Sequence, residues 1–263
     1  MKKFIATICA ALVCCFVLSG TVAEAKTKTN VYQRSYTKDY REIWSNGVTK
    51  VYMNKARTKL CEKNIKSGKE TVLKKLKADL SDENENYYTI ANVIGNKIYL
   101  NHMDHFNSDV YIYNKTTKKL KKVKKELLIQ DAYGDYMIAN GYMPSDQTPY
   151  EAWIYKANGD SIKKVNTIGK EISGMKICDG KIYFASYANK NHDLKSMKVY
   201  SCDLKGQNKN LLFSRSVDFK YGSVYVTEFN AENIIFAEFD SEADTVVEYV
   251  YDIATGEIQK VNE

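Results

Sequence analysis

Residues 174–213 read GMKICDGKIYFASYANKNHDLKSMKVYSCDLKGQNKNLLF, four short apolar-polar runs separated by turn-forming residues. Weaker copies of the same unit fill most of the chain. In each copy a turn pair precedes an apolar triplet. Ile98-Tyr99-Leu100 follows Gly95-Asn96, Met137-Ile138-Ala139 follows Gly134-Asp135, and Ile182-Tyr183-Phe184 follows Asp179-Gly180. Ile235-Phe236-Ala237 follows Glu232-Asn233, and Val51-Tyr52-Met53 follows Asn46-Gly47 as a fainter fifth copy. Such pairs accept the positive φ that tight hairpins require. One run precedes each triplet (residues 40–44, 87–93, 127–132, 173–178 and 223–229), and two follow it.

The unit is therefore four strands, a to d, repeated five times at a period of about 40–50 residues, as propeller blades are. A single twisted four-stranded sheet cannot cover both its faces, whereas copies stacked radially bury them. The expected fold is all-β and β-propeller-like, with about five four-stranded antiparallel blades over residues 40–263. No WD dipeptide closes a blade, so an open arc of blades or a β-sandwich are the alternatives to a closed ring. Twenty-one tyrosines suit half-buried pleated surfaces.

DGKIYFASY at residues 179–187, KVYSCDLKG at 198–206 and VEYVYDIATGEIQKV at 247–261 are similar to the strand-turn idiom of bacterial extracytoplasmic β-propeller proteins. This is the loose TolB-like and WD40-like group, with members in Gram-positive bacteria, and the resemblance spans roughly residues 40–261. It implies a fold. The group houses sensors, scaffolds, binding modules and some enzymes, so it implies no single activity.

The N-terminus reads as a secretory signal. Met1-Lys2-Lys3 is basic, residues 4–18 are apolar apart from Thr7, and Ala23-Glu24-Ala25 forms an A-x-A cleavage site. The rivals are an uncleaved anchor, for which the apolar run is short, and a lipoprotein box at Leu12-Val13-Cys14-Cys15, where Val13 and Cys14 replace the small residues expected. Cleavage after residue 25 leaves about 238 residues with no membrane span, and a net charge near +6 in place of +7. Residues 26–39 read as a linker or as a strand added to the last blade. Cys61, Cys178 and Cys202 remain, too few and too scattered for a disulfide framework. Cys178 and Cys202 fall two strands apart in one blade, beyond bridging reach.

On a propeller the b–c connections share one face, and all three histidines fall there: His102 and His105 in NHMDHFNSD, His192 in ANKNHDLKS. The matching loop of the last repeat carries Asp240, Glu242 and Asp244, and the third repeat offers residues 141–150 with Tyr142. His102, Asp104, His105, Tyr142, His192, Asp240, Glu242 and Asp244 are the candidate ligand-binding set. His102 and His105, with Asp104, are metal-ligand types, but two histidines three apart straddle opposite sides of an extended segment. The acidic loop lacks the glycine and the bidentate Glu of a calcium loop. No metal or other cofactor is expected.

Catalytic signals are sparse. There is no G-x-S-x-G and no P-loop. The inner-strand carboxylates Glu42, Asp131 and Glu228 sit at positions that read as unmatched between repeats. Trp44 and Trp153 are packing residues before they are sugar platforms. The lysine run of residues 115–125 includes Lys118, Lys119, Lys121, Lys122, Lys124 and Lys125. It reads either as protection of an outer edge strand or as a patch for an anionic wall polymer. Without interleaved aromatics it does not point to nucleic acid.

The expected function is a secreted or envelope-associated, monomeric, non-enzymatic binding module. Its partner would be a protein or a cell-envelope glycan held on the loop face. The alternative is a carbohydrate-active enzyme, a glycoside hydrolase or lyase, with a cleft on that face.

Overall fold

The computed structural model describes residues 32–38, 41–80, 86–104, 107–141, 151–190 and 193–261. The signal segment, His105, Tyr142 and His192 lie outside them. Five antiparallel sheets follow one another along the chain. The first holds β1 (Gln33–Tyr36), β2 (Glu42–Ser45), β3 (Thr49–Met53), β4 (Lys59–Asn64) and β5 (Glu70–Lys75). The second is β6 (Tyr87–Ile94), β7 (Lys97–Asp104), β8 (Asn107–Asn114) and β9 (Lys119–Lys124). The third is β10 (Leu127–Tyr133), β11 (Tyr136–Gly141), β12 (Ala152–Asn158) and β13 (Ser161–Gly169). The fourth is β14 (Ile172–Cys178), β15 (Lys181–Lys190), β16 (Asp193–Asp203) and β17 (Asn210–Ser216). The fifth is β18 (Gly222–Phe229), β19 (Asn233–Asp240), β20 (Thr245–Asp252) and β21 (Ile258–Lys260). Every strand pairs with its sequence neighbour, and β2, β6, β10, β14 and β18 lie beside one another in that order as the inner strands of successive blades. No helix among the described residues is long and apolar enough to cross a membrane.

Alternation along each strand sends odd and even residues to opposite faces, and those faces form four apolar junctions. Leu60 of blade one meets the cluster of Ile98 in blade two. Val110 shares one with Met137, Ala152 with Ile182, and Val199 with Ile234. All eight side chains are fully buried, each contributing about 1.5–3 kcal/mol for the larger aliphatics. Among the described residues no buried cluster joins blade five to blade one. The molecule is an arc of five blades, an incomplete propeller with two end faces.

Three corrections follow from the register. Gln33–Tyr36 adds a strand to the first blade, not to the last, pairing with β2 on its axial side. Asn230 pairs back to Asn233 across the fifth blade's first turn, so Ile234, and not Ile235, is the equivalent of Ile98. The hairpins on the b–c face of blades two and four are tight, with Asp104 opposite Asn107 and Lys190 opposite Asp193. Polar residues there continue the ladder, so β7 and β15 extend into the segments read as connections.

Candidate functional site

The inner strands of blades two to five carry a bulge, and each blade presents one residue at an equivalent position just beyond it, which β2 reaches without a bulge. Pairing places Trp44 opposite Val51, Asn92 opposite Tyr99, Asp131 opposite Ile138, Lys176 opposite Tyr183 and Glu228 opposite Ile235. These are equivalent positions. Asp131 and Glu228, which the sequence presents as unmatched, are matched once Ile234 replaces Ile235 as the counterpart of Met137.

In the first three blades this residue ties one blade to the next. Trp44 Nε1 donates to the Ile90 carbonyl at 3.0 Å, which makes Trp44 a buried strut and not a stacking platform. Asn92 Nδ2 donates to the Gly134 carbonyl at 3.0 Å, while its Oδ1 accepts from Val93 N at 2.8 Å. Asp131 repeats the pattern as a carboxylate. Its Oδ1 accepts from Ala132 N at 2.9 Å and its Oδ2 from Ile177 N, in blade four, at 2.8 Å. Its remaining capacity goes to Arg34 of β1, whose Nη2 pairs with Oδ1. Asp131 is 4% exposed; burial without such partners would be costly.

The axial strand, the bulge residues and the first turns together enclose a cleft of about 750 Å³. It is lined by residues 32–34 and 36, 131–134, 176–179 and 228–231, and so opens at the end of the arc that carries the a–b turns. The described members of the ligand set expected from sequence, His102, Asp104, Asp240, Glu242 and Asp244, belong to the other end. Tyr36 and Tyr133 are half-exposed at the cleft. The Arg34 guanidinium lies 5.4 Å from the Tyr36 ring and 5.8 Å from Trp44, a cation–π arrangement that adds to the ion pair in holding β1. Burial raises the Tyr36 phenol above its ordinary pKa, with Arg34 opposing. Lys176, Asp179 and Glu228 supply charge of both signs. Cys178 also lines the cleft, and burial pushes its thiol up to about 11, so it is protonated at neutral pH and a poor nucleophile. All three described cysteines are unpaired.

At the b–c end, His102 lies within β7 and not in a connection. Its ring sits 4.4 Å from Tyr88 and 5.7 Å from Tyr111, and Nε2 is 3.0 Å from Asn86 Oδ1. Burial lowers its pKa, opposed by Asp104 and Asp109 and assisted by Lys122. Asp104 ends the same strand. In the fifth blade Asp240 Oδ1 accepts from the backbone of Glu242 and Ala243, Glu242 pairs with Lys220 at 3.7 Å, and Asp244 takes a positive φ of 51°. These acids build their own turn, and no described contact joins them to His102 or Asp104. No three His, Cys, Asp or Glu side chains converge as metal ligands among the described residues.

No protein-family profile matches the chain, and no curated protein does. Solved structures do, at the level of fold. An oligogalacturonate lyase in complex with manganese aligns at TM-score 0.55 and 14% identity, over 83% of this chain and 62% of its own. Oligopeptidase B from Trypanosoma brucei aligns at TM-score 0.51 and 13% identity, over 82% of this chain and 32% of its own. TolB from Acinetobacter baumannii aligns at TM-score 0.42 and 13% identity, over 82% of this chain and 53% of its own, too loosely to bear on the reading. This chain spans less than two thirds of the lyase and about a third of the peptidase. The likeness is one of propeller architecture.

Proposed function

We propose that the chain is an extracytoplasmic, non-enzymatic binding module that seats its ligand in the axial cleft. The observation that carries this reading is the commitment of Asp131. The cleft's deeply buried carboxylate is already held by Arg34 and two backbone N–H groups, and using it as an acid or base would release β1 from the axis. What remains facing the cleft are two half-exposed tyrosine rings and charged groups of both signs, the pattern of a recognition site with a few orienting polar groups. A short envelope glycan or peptide, offering a flat face to Tyr36 and Tyr133 and polar groups to Lys176 and Glu228, fits that description.

A thermal-shift screen of the chain lacking residues 1–25 against wall glycans and peptides tests it, since a ligand that binds only the folded state raises the midpoint. Tyr133→Ala should then weaken the ligand found by about tenfold, the scale of one well-placed contact. A ligand indifferent to both Tyr133→Ala and Lys176→Ala would place binding elsewhere. Turnover of an acidic oligosaccharide, abolished by Asp131→Asn, would favour the carbohydrate-active alternative suggested by the lyase's fold.

A further inference from the structure

The five outermost strands divide sharply. β5, β9 and β13, on blades one to three, carry Lys74, Lys75, Lys119, Lys121, Lys124 and Lys163 among others, and β9 and β13 contain no acid. Glu70, the one acid of β5, takes the Tyr52 hydroxyl. Lys122 is paired with Asp109 and Lys164 lies over the Trp153 ring, but none of the six named lysines forms an ion pair with a described residue. Asp160, which feels the charge of Lys121, is taken by Lys97 at 3.0 Å. β9 and β13 lie against each other, so their lysines form one belt across a blade boundary, and those of β5 line the outer edge of the neighbouring blade. On β17 and β21 the picture is different. Arg215 is spent on Glu238, and Lys260 stands alone in its strand.

Edge protection does not account for this division. All five outer strands present unpaired backbone to water, and lysines that only guard against sheet addition are needed as much on β17 and β21, which lack the belt. The belt calls for a partner. It is convex, because the outer strands of successive blades face different directions. A planar bilayer meets one blade edge at a time, whereas a flexible chain follows all three. Lysine ammonium groups on long stems act as point charges that suit phosphate oxygens in many orientations.

We propose that the outer rim of blades one to three binds a flexible linear polyanion of the phosphodiester or polyphosphate class. This site is separate from the axial cleft and does not depend on it.

Long-chain inorganic polyphosphate titrated into the full chain is the test. Binding should weaken steeply between 50 and 300 mM salt, as counterion release requires (roughly 0.7 per contacted charge in log–log slope). Replacing Lys119, Lys121 and Lys124 together by Gln should weaken binding about tenfold or more at low salt and flatten that slope by about 2. A control of equal charge change, Lys181→Gln with Lys198→Gln and Lys260→Gln, should stay within about threefold. These exposed substitutions leave stability within about 0.5 kcal/mol, which thermal midpoints verify. Equal loss in both triple variants would reduce the effect to net charge and overturn the proposal. So would absence of polyphosphate binding, or binding confined to phosphatidylglycerol vesicles.

Discussion

Leu60, Val110, Ala152 and Val199 occupy one register position in blades one to four, paired in turn with Met53, Asn101, Asn140 and Ala185, and all are sealed from water. In the fifth blade that position, opposite Ala237, is Glu248, and it is exposed. The mirror case lies at the other end. Ile98, Met137, Ile182 and Ile234 are buried on the backward faces of blades two to five, while their equivalent in blade one is Lys50. Its cross-strand neighbour Lys63 stands where Tyr113, Tyr155, Cys202 and Tyr251 are buried. The chain thus marks its own ends. Each internal junction receives an apolar pair, and each terminal face receives a charge that would be costly to bury. Terminal units of stacked repeats need such polar caps for solubility. The apolar residues left on the first face, Ile43, Tyr52 and Ile65, border only a shallow cavity of about 400 Å³.

The difference can be tested at its extremes. Val199→Glu copies the last blade's residue into an internal junction and should cost on the order of 4 kcal/mol or more, through a buried unpaired charge. Denaturant titration measures it, and a loss below about 1 kcal/mol would erase the distinction between junction and end. Next in size is Asp131→Ala, which strands the Arg34 guanidinium and the Ile177 N–H. It should cost about 2–4 kcal/mol, with the double variant Arg34→Ala/Asp131→Ala costing less than the sum of the singles. A strictly additive pair would mean that β1 is not held by this bond. Glu248→Val, the reverse exchange, should move stability by no more than about 0.5 kcal/mol yet raise the apparent mass in sedimentation by exposing an uncharged edge face; unchanged mass would show that the charge does not guard the end.

The smallest effect is a pH dependence. His102 has its pKa lowered by burial, so between the unfolded value of about 6.5 and the lower folded value the unfolded chain binds more protons. Stability is therefore full above about 6.5 and declines as pH falls toward the folded-state titration. A His102→Phe variant compared with the parent from pH 7.5 to 5 should lack that part of the slope, and identical slopes would contradict the assignment.

Much of this architecture is legible in the chain itself. The apolar triplets and Asn-Gly-like pairs specify strands through local chemistry, so the blades and their order follow from residues a few positions apart. Glu248 and Lys50 were visible too, but nothing local distinguishes a charged end face from an ordinary exposed strand. The axial cleft was hidden for a different reason. Asn92 and Asp131 acquire their role from backbone groups of another blade, which no spacing within their own repeat announces. The four segments that line the cleft are nearly 200 residues apart at the extremes. β1 reads QRSY, without the alternation that announces a strand, and it forms because Arg34 finds a carboxylate in another blade. His102 reads as a loop residue because Asn, Asp and His, which are turn formers, extend β7 and β8.

β1 has one further consequence. It precedes every other described strand, yet the groups that hold it at the axis, Asp131 and the Ile177 N–H that orients it, belong to the third and fourth blades. On a chain made from its N-terminus, the first strand has to wait for nearly 150 later residues before it is locked. Closing so long a loop is slow compared with forming the local hairpins. The Arg34 bond therefore forms after the local hairpins of the early blades, on an arc whose third blade and the first strand of whose fourth are in place. A chain cut or misregistered before its fourth blade would leave its leading strand loose and open to proteases, so the axial ion pair doubles as a check that the arc has grown that far.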